Sequence, residues 1–319
     1  MFEGFARTEI ATAGGAARIH LRHGGSGPPL LLLHGNPQTH VAWHRIAGRL
    51  AERFHVVAAD LRGYGDSVGP DPSDTAAYTF RAMAEDQVEV MRALGHERFM
   101  VAGHDRGART AHRMALDHPE RVERLVLLDI LPSRHIWRNA SAEWALGSWH
   151  WPFMAQGNGL PERMMESVPP EWFMERTMGR PDVGISISAP EAYAEYVRRF
   201  TPKTIRASCA DYRAAATLDR AMDEADRDRR IACPTPVLWG ERSHTGRVFG
   251  DVLAIWRDYA EDVIGAPLAC GHYVPEHAPE ETLARFLRFF GAAPDRPRSG
   301  RAPAGGGGSR AAGKRERRR

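Results

Sequence analysis

The hydrophobic positions of the chain fall into short apolar runs that alternate with longer segments of helical spacing. Eight runs are predicted to form strands: Phe5–Ala11, Ala17–Arg22, Leu30–Leu33, His55–Ala59, Phe99–Ala102, Arg124–Leu128, Pro234–Trp239 and Val263–Ala269. Apolar residues three and four positions apart predict helices over Val41–Glu52, Thr79–Leu94, the segment after Gly107, Val248–Tyr259 and Pro279–Phe290. Strands that alternate with helices are typical of an α/β domain with a mostly parallel sheet.

The alternation stops after Pro132 and resumes near residue 229. Residues 133–228 are rich in Trp, Met, Glu and Arg and contain no convincing strand. We therefore predict an eight-stranded, mostly parallel α/β core made of residues 1–132 and 229–293, with residues 133–228 inserted as a helical cap.

The basic charge of the chain is concentrated at its C-terminus. The formal net charge is +3, but residues 294–319 hold nine Arg or Lys against two acidic residues, so the rest of the chain is acidic. This tail is rich in Gly, Pro and Arg and is predicted to be disordered. A basic tail can bind anions nonspecifically, but no specific nucleic-acid partner is expected.

Composition also bears on the cellular location. No run of 18 apolar residues occurs, and the N-terminus lacks a basic segment followed by an apolar one, so we expect neither a membrane span nor a secretory signal. Cys209, Cys233 and Cys270 have no metal-ligand spacing. They are typical of a protein in a reducing compartment, and we expect a cytoplasmic location.

The stretch RFMVAGHDRGARTAH, residues 98–112, has the features of a nucleophile elbow. An apolar strand meets Gly103-His104-Asp105-Arg106-Gly107, and a helix-compatible segment follows at once. Such a turn places one side chain, here Asp105, at the carboxyl edge of the sheet. The chain also contains a literal G-x-S-x-G around Ser67, but proline-rich residues follow it instead of a helix, so we reject Ser67 as the nucleophile.

An aspartate at this position predicts a particular chemistry. It is ionised near neutrality and can attack an sp³ carbon that bears a leaving group, forming an ester that must then be hydrolysed. The second step needs a histidine and an acid that orients it. His272, after the last strand, is the candidate base. Asp129, at the end of a strand, is the candidate acid, with Glu241 and Asp251 as alternatives.

Other groups complete the predicted site. The backbone amides of Asn36 and Arg106 are the expected donors to the oxyanion of the ester. Arg106 and Arg109 lie three residues apart on the helix that Asp105 opens, and two guanidinium groups there suit a substrate carboxylate.

These residues together resemble the fluoroacetate and haloacetate dehalogenases of the α/β-hydrolase superfamily, over residues 1–293. The resemblance is carried by HGNPQTHVAWH (34–44), GHDRGAR (103–109), LLDILP (127–132), the Trp-His-Trp of residues 149–151, CADYRAA (209–215) and CGHYVPEHAP (270–279). It implies a nucleophilic Asp105, the base His272 and its partner Asp129. It also implies carboxylate binding by Arg106 and Arg109, and a homodimer.

The cap is expected to supply the halide site. The resemblance implies that His150, Trp151 and Tyr212 bind the departing halide, and their N–H and O–H groups can donate to an anion. One position departs from the family pattern, because Asn36 stands where an aromatic residue is expected after His-Gly. In the related haloalkane dehalogenases an asparagine there helps to bind halide, so Asn36 bears on which halide is preferred.

The predicted activity is hydrolytic dehalogenation of short 2-haloacids of the fluoroacetate or chloroacetate type. The products would be a 2-hydroxy acid and halide, and we expect no cofactor and no metal, since no HExxH, cysteine pair or phosphate loop occurs. An epoxide hydrolase is the alternative, with Tyr193, Tyr196 and Tyr212 as candidate proton donors. A non-catalytic carboxylate-binding module is the third possibility, although it would need neither Asp105 nor His272.

Overall fold

The eight apolar runs form one sheet. The computed structural model describes residues 1–178 and 189–291, so the predicted tail at 294–319 lies outside the described residues. The strands are β1 Ala6–Thr12, β2 Ala17–Gly24, β3 Pro29–Leu33, β4 His55–Ala59, β5 Phe99–His104, β6 Val122–Leu128, β7 Thr235–Gly240 and β8 Val263–Leu268. Their order is β1-β2-β4-β3-β5-β6-β7-β8. Strand β2 is antiparallel to both β1 and β4, and all other pairs are parallel, which confirms the predicted sheet.

Helices connect the strands and fill the long segment between β6 and β7. In the core they are Ala47–Leu50, Phe80–Ala93, Arg106–Asp117, His244–Val248, Val252–Arg257, Val274–His277 and Pro279–Phe290, with 3₁₀ turns at Ala13–Gly15, His40–Trp43 and Thr75–Tyr78. Between β6 and β7 they are Ser133–Arg138, Ala142–Gly147, His150–Met154, Leu160–Glu166, Pro170–Met178, Pro190–Arg199, Pro202–Ala216 and Leu218–Ala225.

Two predicted helices are broken in the structure. The segment predicted as Val41–Glu52 forms the 3₁₀ turn His40–Trp43 and the short helix Ala47–Leu50, in which Gly48 is a poor helix former. The segment predicted as Val248–Tyr259 is interrupted at Gly250, whose φ of +78° ends one helix. The next helix begins after Asp251, whose Oδ1 accepts a hydrogen bond from the backbone N–H of Ala254 at 2.9 Å.

The sheet is buried on both faces, and the alternation of side chains along β3 shows this directly. Leu31 and Leu33 belong to the apolar cluster that packs the helices after β4 and β5 and the helices inserted after β6. Leu30 and Leu32 belong to the opposite cluster, which packs against the last helix, Pro279–Phe290. Burial on both sides explains why β3 is a continuous apolar run.

Residues 133–225 are helical throughout their described part, as the sequence predicts. We keep the name cap for residues 133–228; the division of the chain at residues 132 and 229 stays a prediction. Among the described residues, no helix has both the length and the apolar character needed to cross a membrane.

Candidate active site

A cavity of about 180 Å³ lies where the cap meets the carboxyl ends of the parallel strands. It is lined by nearly all of the residues that the sequence predicts for the site: Asn36, Asp105, Arg109, Asp129, His150, Trp151, Tyr212 and His272. Arg106 is not among the lining residues. The cavity is smaller than the roughly 300–1,000 Å³ of sites for drug-sized ligands, so it suits a small substrate.

Asp105 occupies the predicted elbow between β5 and the helix Arg106–Asp117. Its backbone has φ +47° and ψ −114°, a strained conformation for a residue with a side chain. The strain is sustained by close packing of the turn. A Cβ at Gly107 would lie 2.5 Å from the backbone of Leu33, and the N–H of Gly107 donates to the carbonyl of His34 at 2.8 Å. Gly107, two residues after Asp105, therefore lets the elbow approach β3.

His272 lies between the carboxylates of Asp129 and Asp105. His272 Nδ1 is 2.5 Å from Oδ2 of Asp129, and His272 Nε2 is 3.9 Å from Oδ2 of Asp105. The other oxygen of Asp129 accepts from the backbone N–H of Gly240 at 2.9 Å. Because 3.9 Å is longer than a hydrogen bond, His272 forms none with Oδ2 of Asp105.

The alternative acids lie elsewhere. Asp251 caps a helix, and Glu241 is exposed. Ser67, set aside from the literal motif, is fully buried, and its Oγ donates to the carbonyl of Asp60 and accepts from the N–H of His20, each at 2.9 Å. These contacts give Ser67 a structural role.

The ionisation of the three groups follows from their neighbours. Burial alone would raise the pKa of Asp105, but His272 and Arg106 hold it well below its usual range, so Asp105 is an anion. Burial would lower the pKa of His272, but the hydrogen bond and charge of Asp129 outweigh it and raise the pKa above the usual value. A base with a raised pKa can accept a proton from water and return it to the leaving alcohol.

The structure brings one of the two predicted oxyanion donors, the backbone N–H of Asn36, into contact with Asp105. The backbone N–H of Asn36 donates to Oδ1 of Asp105 at 3.0 Å. The same oxygen would become the ester carbonyl after attack by Oδ2, so this N–H is already aimed at the developing oxyanion. The amide of Arg106 is the first of the elbow helix, where N–H groups have no partner within the helix.

Arg109 presents its guanidinium to the cavity. Its Nη1 donates to the carbonyl of Leu131 and to Oγ of Ser133, each at 2.9 Å, and its Cζ lies 4.6 Å from the centre of the Trp151 ring. Its Nε is buried without a hydrogen-bond partner. Burial and the neighbouring Arg106 lower the pKa of Arg109 to about 10, so it is charged near neutrality.

Arg106 forms a buried ion pair with Asp211, a residue of the cap. Its Nε donates to Oδ2 of Asp211 at 2.8 Å, its Nη2 contacts Oδ1 and the backbone oxygen of Asp211, and both side chains are fully buried. Only Nη1 remains without a partner. Its predicted role in carboxylate binding therefore rests on Nη1 alone, whereas Arg109 is better placed for it.

The three predicted halide ligands form one aromatic wall. The ring centre of Tyr212 is 5.8 Å from that of His150 and 5.9 Å from that of Trp151. Burial and the charge of Asp105 raise the pKa of Tyr212, so its phenol keeps the proton that it would donate. Asn36 reaches the same wall, since its Nδ2 is 3.4 Å from Oη of Tyr212.

Some residues of this region carry no role in the sequence interpretation. Asp211 lies next to Tyr212 in a quoted motif, and Gln38 and Glu276 lie within two others, yet their positions along the chain do not reveal that they meet buried partners. His104 precedes the nucleophile and is buried beneath His272, at a distance of 4.7 Å between ring centres.

One group among the described residues has the composition of a cation site. His20, His40 and Asp60 are buried, with possible ligand atoms within 4.8 Å of one another. Oδ1 of Asp60 already accepts from the backbone N–H of His40 at 2.6 Å and lies 2.9 Å from its Nδ1, while Oδ2 accepts from the backbone of Asp66 at 3.0 Å. Because these contacts satisfy the carboxylate, it acts as a structural anchor for the loop after β3.

Comparison with known proteins shows which proteins this chain is similar to. A family described by the α/β-hydrolase fold matches residues 28–151. The chain is 41% identical to a fluoroacetate dehalogenase of Burkholderia sp, over 91% of this chain and 95% of that one. It is 34% identical to a soluble epoxide hydrolase of Corynebacterium sp. (strain C12), over 86% and 93% of the two chains. The structure of an α/β hydrolase from Nostoc sp PCC 7120 superposes with a TM-score of 0.88 at 49% identity, covering 92% of this chain and all of the other.

Proposed function

The chain belongs to the haloacetate dehalogenase family of the α/β hydrolases, and from this premise we propose that it hydrolyses short 2-haloacids of the fluoroacetate or chloroacetate type. The products are a 2-hydroxy acid and halide, and the intermediate is an ester on Asp105. The observation that carries the proposal is the presence in one small cavity of an ionised Asp105 and the buried guanidinium of Arg109. A substrate carboxylate would pair with this buried guanidinium, whereas a neutral substrate would offer it no charge.

In the first step Oδ2 of Asp105 attacks the α-carbon. A bond forms between this oxygen and the carbon, and the carbon–halogen bond breaks with its electron pair leaving on the halide. Arg109 holds the substrate carboxylate, so the α-carbon is oriented toward Asp105. His150, Trp151 and Tyr212 donate hydrogen bonds to the departing anion, with Nδ2 of Asn36 as a further donor.

In the second step water attacks Cγ of the Asp105 ester. His272 takes a proton from the water at Nε2, and Asp129 stabilises the imidazolium through Nδ1. The oxyanion forms on Oδ1, where the backbone N–H of Asn36 donates. Collapse breaks the bond between Cγ and Oδ2, and the departing hydroxy acid takes the proton from His272. The second proton of the water is then released from the new carboxyl to solvent, which restores the carboxylate of Asp105 with one oxygen from water.

Epoxide hydrolysis is the second candidate, since a soluble epoxide hydrolase is among the relatives. That reaction needs tyrosines to protonate the epoxide oxygen. Of the three cap tyrosines considered, Tyr212 lines the cavity, whereas Tyr196 donates to Glu276 at 2.8 Å and Tyr193 is not among the lining residues. The cationic Arg109 further favours an anionic substrate.

The direct test measures halide release from fluoroacetate and chloroacetate by the wild type and by Asp105→Ala. We expect release by the wild type alone. In His272→Asn, mass spectrometry should find a carboxymethyl ester on Asp105, because alkylation proceeds while hydrolysis stops. If no haloacetate yields halide but styrene oxide is hydrolysed, the epoxide reaction is assigned instead. If neither substrate is turned over, the non-catalytic carboxylate-binding module is favoured.

An isotope experiment tests whether Asp105 or water attacks the α-carbon. In a single turnover in ¹⁸O-water, the hydroxyl oxygen of the product should come from Asp105 and the label should enter the protein. Label found in the product alone would mean direct attack by water on the α-carbon. The homodimer, the cytoplasmic location and the tail's lack of a specific nucleic-acid partner stay predictions.

A further inference from the structure

Four buried side chains form a hydrogen-bonded chain that the proposed reaction leaves unused. Tyr196, Gln38, His104 and Glu276 are all fully buried. Oη of Tyr196 donates to Oε1 of Glu276 at 2.8 Å, and Nε2 of Gln38 lies 2.6 Å from Oε2 of Glu276. Oε1 of Gln38 lies 3.0 Å from Nδ1 of His104. This series of hydrogen bonds therefore extends from the cap, which carries Tyr196, into the core.

The series of hydrogen bonds ends in the core at the backbone of His272, the proposed base. Nε2 of His104 is 2.8 Å from the carbonyl oxygen of His272, which also accepts from the backbone N–H of Val274 at 2.9 Å. A carbonyl oxygen can only accept, so His104 must carry a hydrogen on Nε2. This contact fixes the main chain at the residue whose ring has to face the ester.

The hydrogen bonds that link His104, Gln38 and Glu276 can all form only if these side chains hold one extra proton. A neutral His104 with its hydrogen on Nε2 offers a lone pair at Nδ1, and an ionised Glu276 offers lone pairs at Oε2. The Gln38 amide lies between them with one donor end and one acceptor end, so in either orientation its carbonyl would face a lone pair. One added proton, on His104 or on Glu276, removes the conflict, and a rotation of the amide selects which residue holds it.

We propose that Gln38, His104 and Glu276, here called the Glu276 relay, share one proton and position His272 for hydrolysis of the Asp105 ester. The inference rests on the proposed function, because that function makes His272 the base. The three are positioning residues, since none of them lines the cavity. Loss of the relay proton places two acceptors face to face: at one end of the Gln38 amide, or, when His104 moves its hydrogen from Nε2 to Nδ1, at the carbonyl of His272.

The environment of the relay indicates where the proton is held. Burial raises the pKa of Glu276 to about 8, against the opposing hydrogen bonds of Tyr196 and Gln38 and the charge of Arg45. Burial and the charge of His272 lower the pKa of His104 to about 4. The groups that face Glu276 are thus Tyr196 from the cap, Gln38, and Arg45, whose Nη1 donates to the backbone oxygen of Glu276 at 2.9 Å. Near neutrality Glu276 holds the proton, and the Gln38 amide turns its NH₂ toward His104.

The relay predicts a second, alkaline limb in the pH profile of turnover. As the pH passes about 8, Glu276 loses its proton, the relay loses a hydrogen bond and kcat falls. Deprotonation of Arg109 at about pH 10 acts on substrate binding and therefore on KM, so the two effects are separable.

The test compares the wild type with Glu276→Gln and Gln38→Met. A glutamine at 276 can donate and accept at any pH, so this variant should keep halide release at pH 7 and lose the alkaline fall of kcat near pH 8. Gln38→Met has a side chain of similar size without hydrogen bonds. It should lower kcat about tenfold at pH 7 and cause the Asp105 ester to accumulate.

Thermal unfolding provides a readout that needs no activity. The Tm of the wild type should fall between about pH 5 and pH 8, because folded Glu276 keeps its proton up to a pKa of about 8 while the unfolded chain has already lost it, and Glu276→Gln should show a flatter curve. An alkaline limb and a Tm curve that are the same in Glu276→Gln as in the wild type would overturn the relay. A wild type that releases no halide would instead overturn the proposed function, and the Tm comparison would still decide the relay.

Discussion

Replacement of Asp211 by asparagine should destabilise the protein strongly. Arg106 and Asp211 are both fully buried, and the guanidinium contacts both carboxylate oxygens. Burial alone would lower the pKa of Arg106, but Asp211 raises it, so the guanidinium is charged. Asp211→Asn has the same shape but removes the counter-charge and turns an N–H toward an N–H. Loss of one partner of a buried pair costs about 3–5 kcal/mol.

The corresponding change in Tm can be worked out from the size of the folded part. Unfolding entropy is about 2.1 cal/mol/K per residue, so a chain of roughly 290 folded residues gains about 0.6 kcal/mol/K. A loss of 3–5 kcal/mol then lowers Tm by about 5–8 °C, measured by differential scanning calorimetry at a fixed scan rate. The double variant Arg106→Met with Asp211→Leu removes both charges and should recover part of this loss; the recovery is partial because the buried hydroxyl of Tyr64, which donates to Oδ2 of Asp211 at 2.7 Å, loses its acceptor.

The chain offers a matched control in an exposed pair. Nη1 of Arg49 lies 2.7 Å from Glu280, but the two side chains are 55% and 80% exposed. Glu280→Gln should therefore shift Tm by less than about 1 °C. The reasoning fails if Asp211→Asn melts within 1 °C of the wild type, or if the double variant is less stable than the single one.

Three further outcomes follow from the site. Arg109→Met should raise KM for haloacetates about 10–100-fold with a smaller change in kcat, measured by halide release, and an unchanged KM would remove Arg109 from carboxylate binding. Gly35→Ala should lower kcat at least about tenfold, since its Cβ would lie 2.6 Å from Cβ of Asp105, whereas Gly48→Ala, with nothing within 4 Å, should be silent. Below about pH 6.5 the protonated His272 should slow ester hydrolysis while alkylation continues, because the pKa of Asp105 is lowered and that of His272 raised. Mass spectrometry across the pH range should show the ester increase as the pH falls, and its absence at low pH would contradict the assignment of the base.

The strands and the elbow could be predicted because local pattern decides them. An apolar run such as Leu30–Leu33 can be satisfied only where both faces of a sheet are covered, and the structure places it in β3. The position of Asp105 depends on the glycines beside it, which are visible in the sequence. The break at Gly250 lies within a segment that otherwise has helical spacing, and the break between Trp43 and Ala47 contains no glycine or proline that would mark it in the sequence.

The partners of the charged groups could not be predicted in the same way. Two arginines three residues apart on one helix suggest a shared role, yet Arg106 is taken up by Asp211, which lies 105 positions away along the chain. Likewise Gln38 meets Glu276 across 238 positions. Pairing over such distances depends on how the cap and the last loops pack onto the sheet, and no spacing rule along the chain encodes it.

The contact between Arg106 and Asp211 also limits how this enzyme family can be recombined. The guanidinium belongs to the residue after the nucleophile, and the carboxylate belongs to the helix Pro202–Ala216. A chimera that grafts a foreign cap onto this core would import the substrate-facing aromatic side chains but lose the counter-charge, unless the graft supplies an acid at the position of Asp211. We therefore expect a cap exchanged between relatives to fold on this core only when both ends of this ion pair are transferred together.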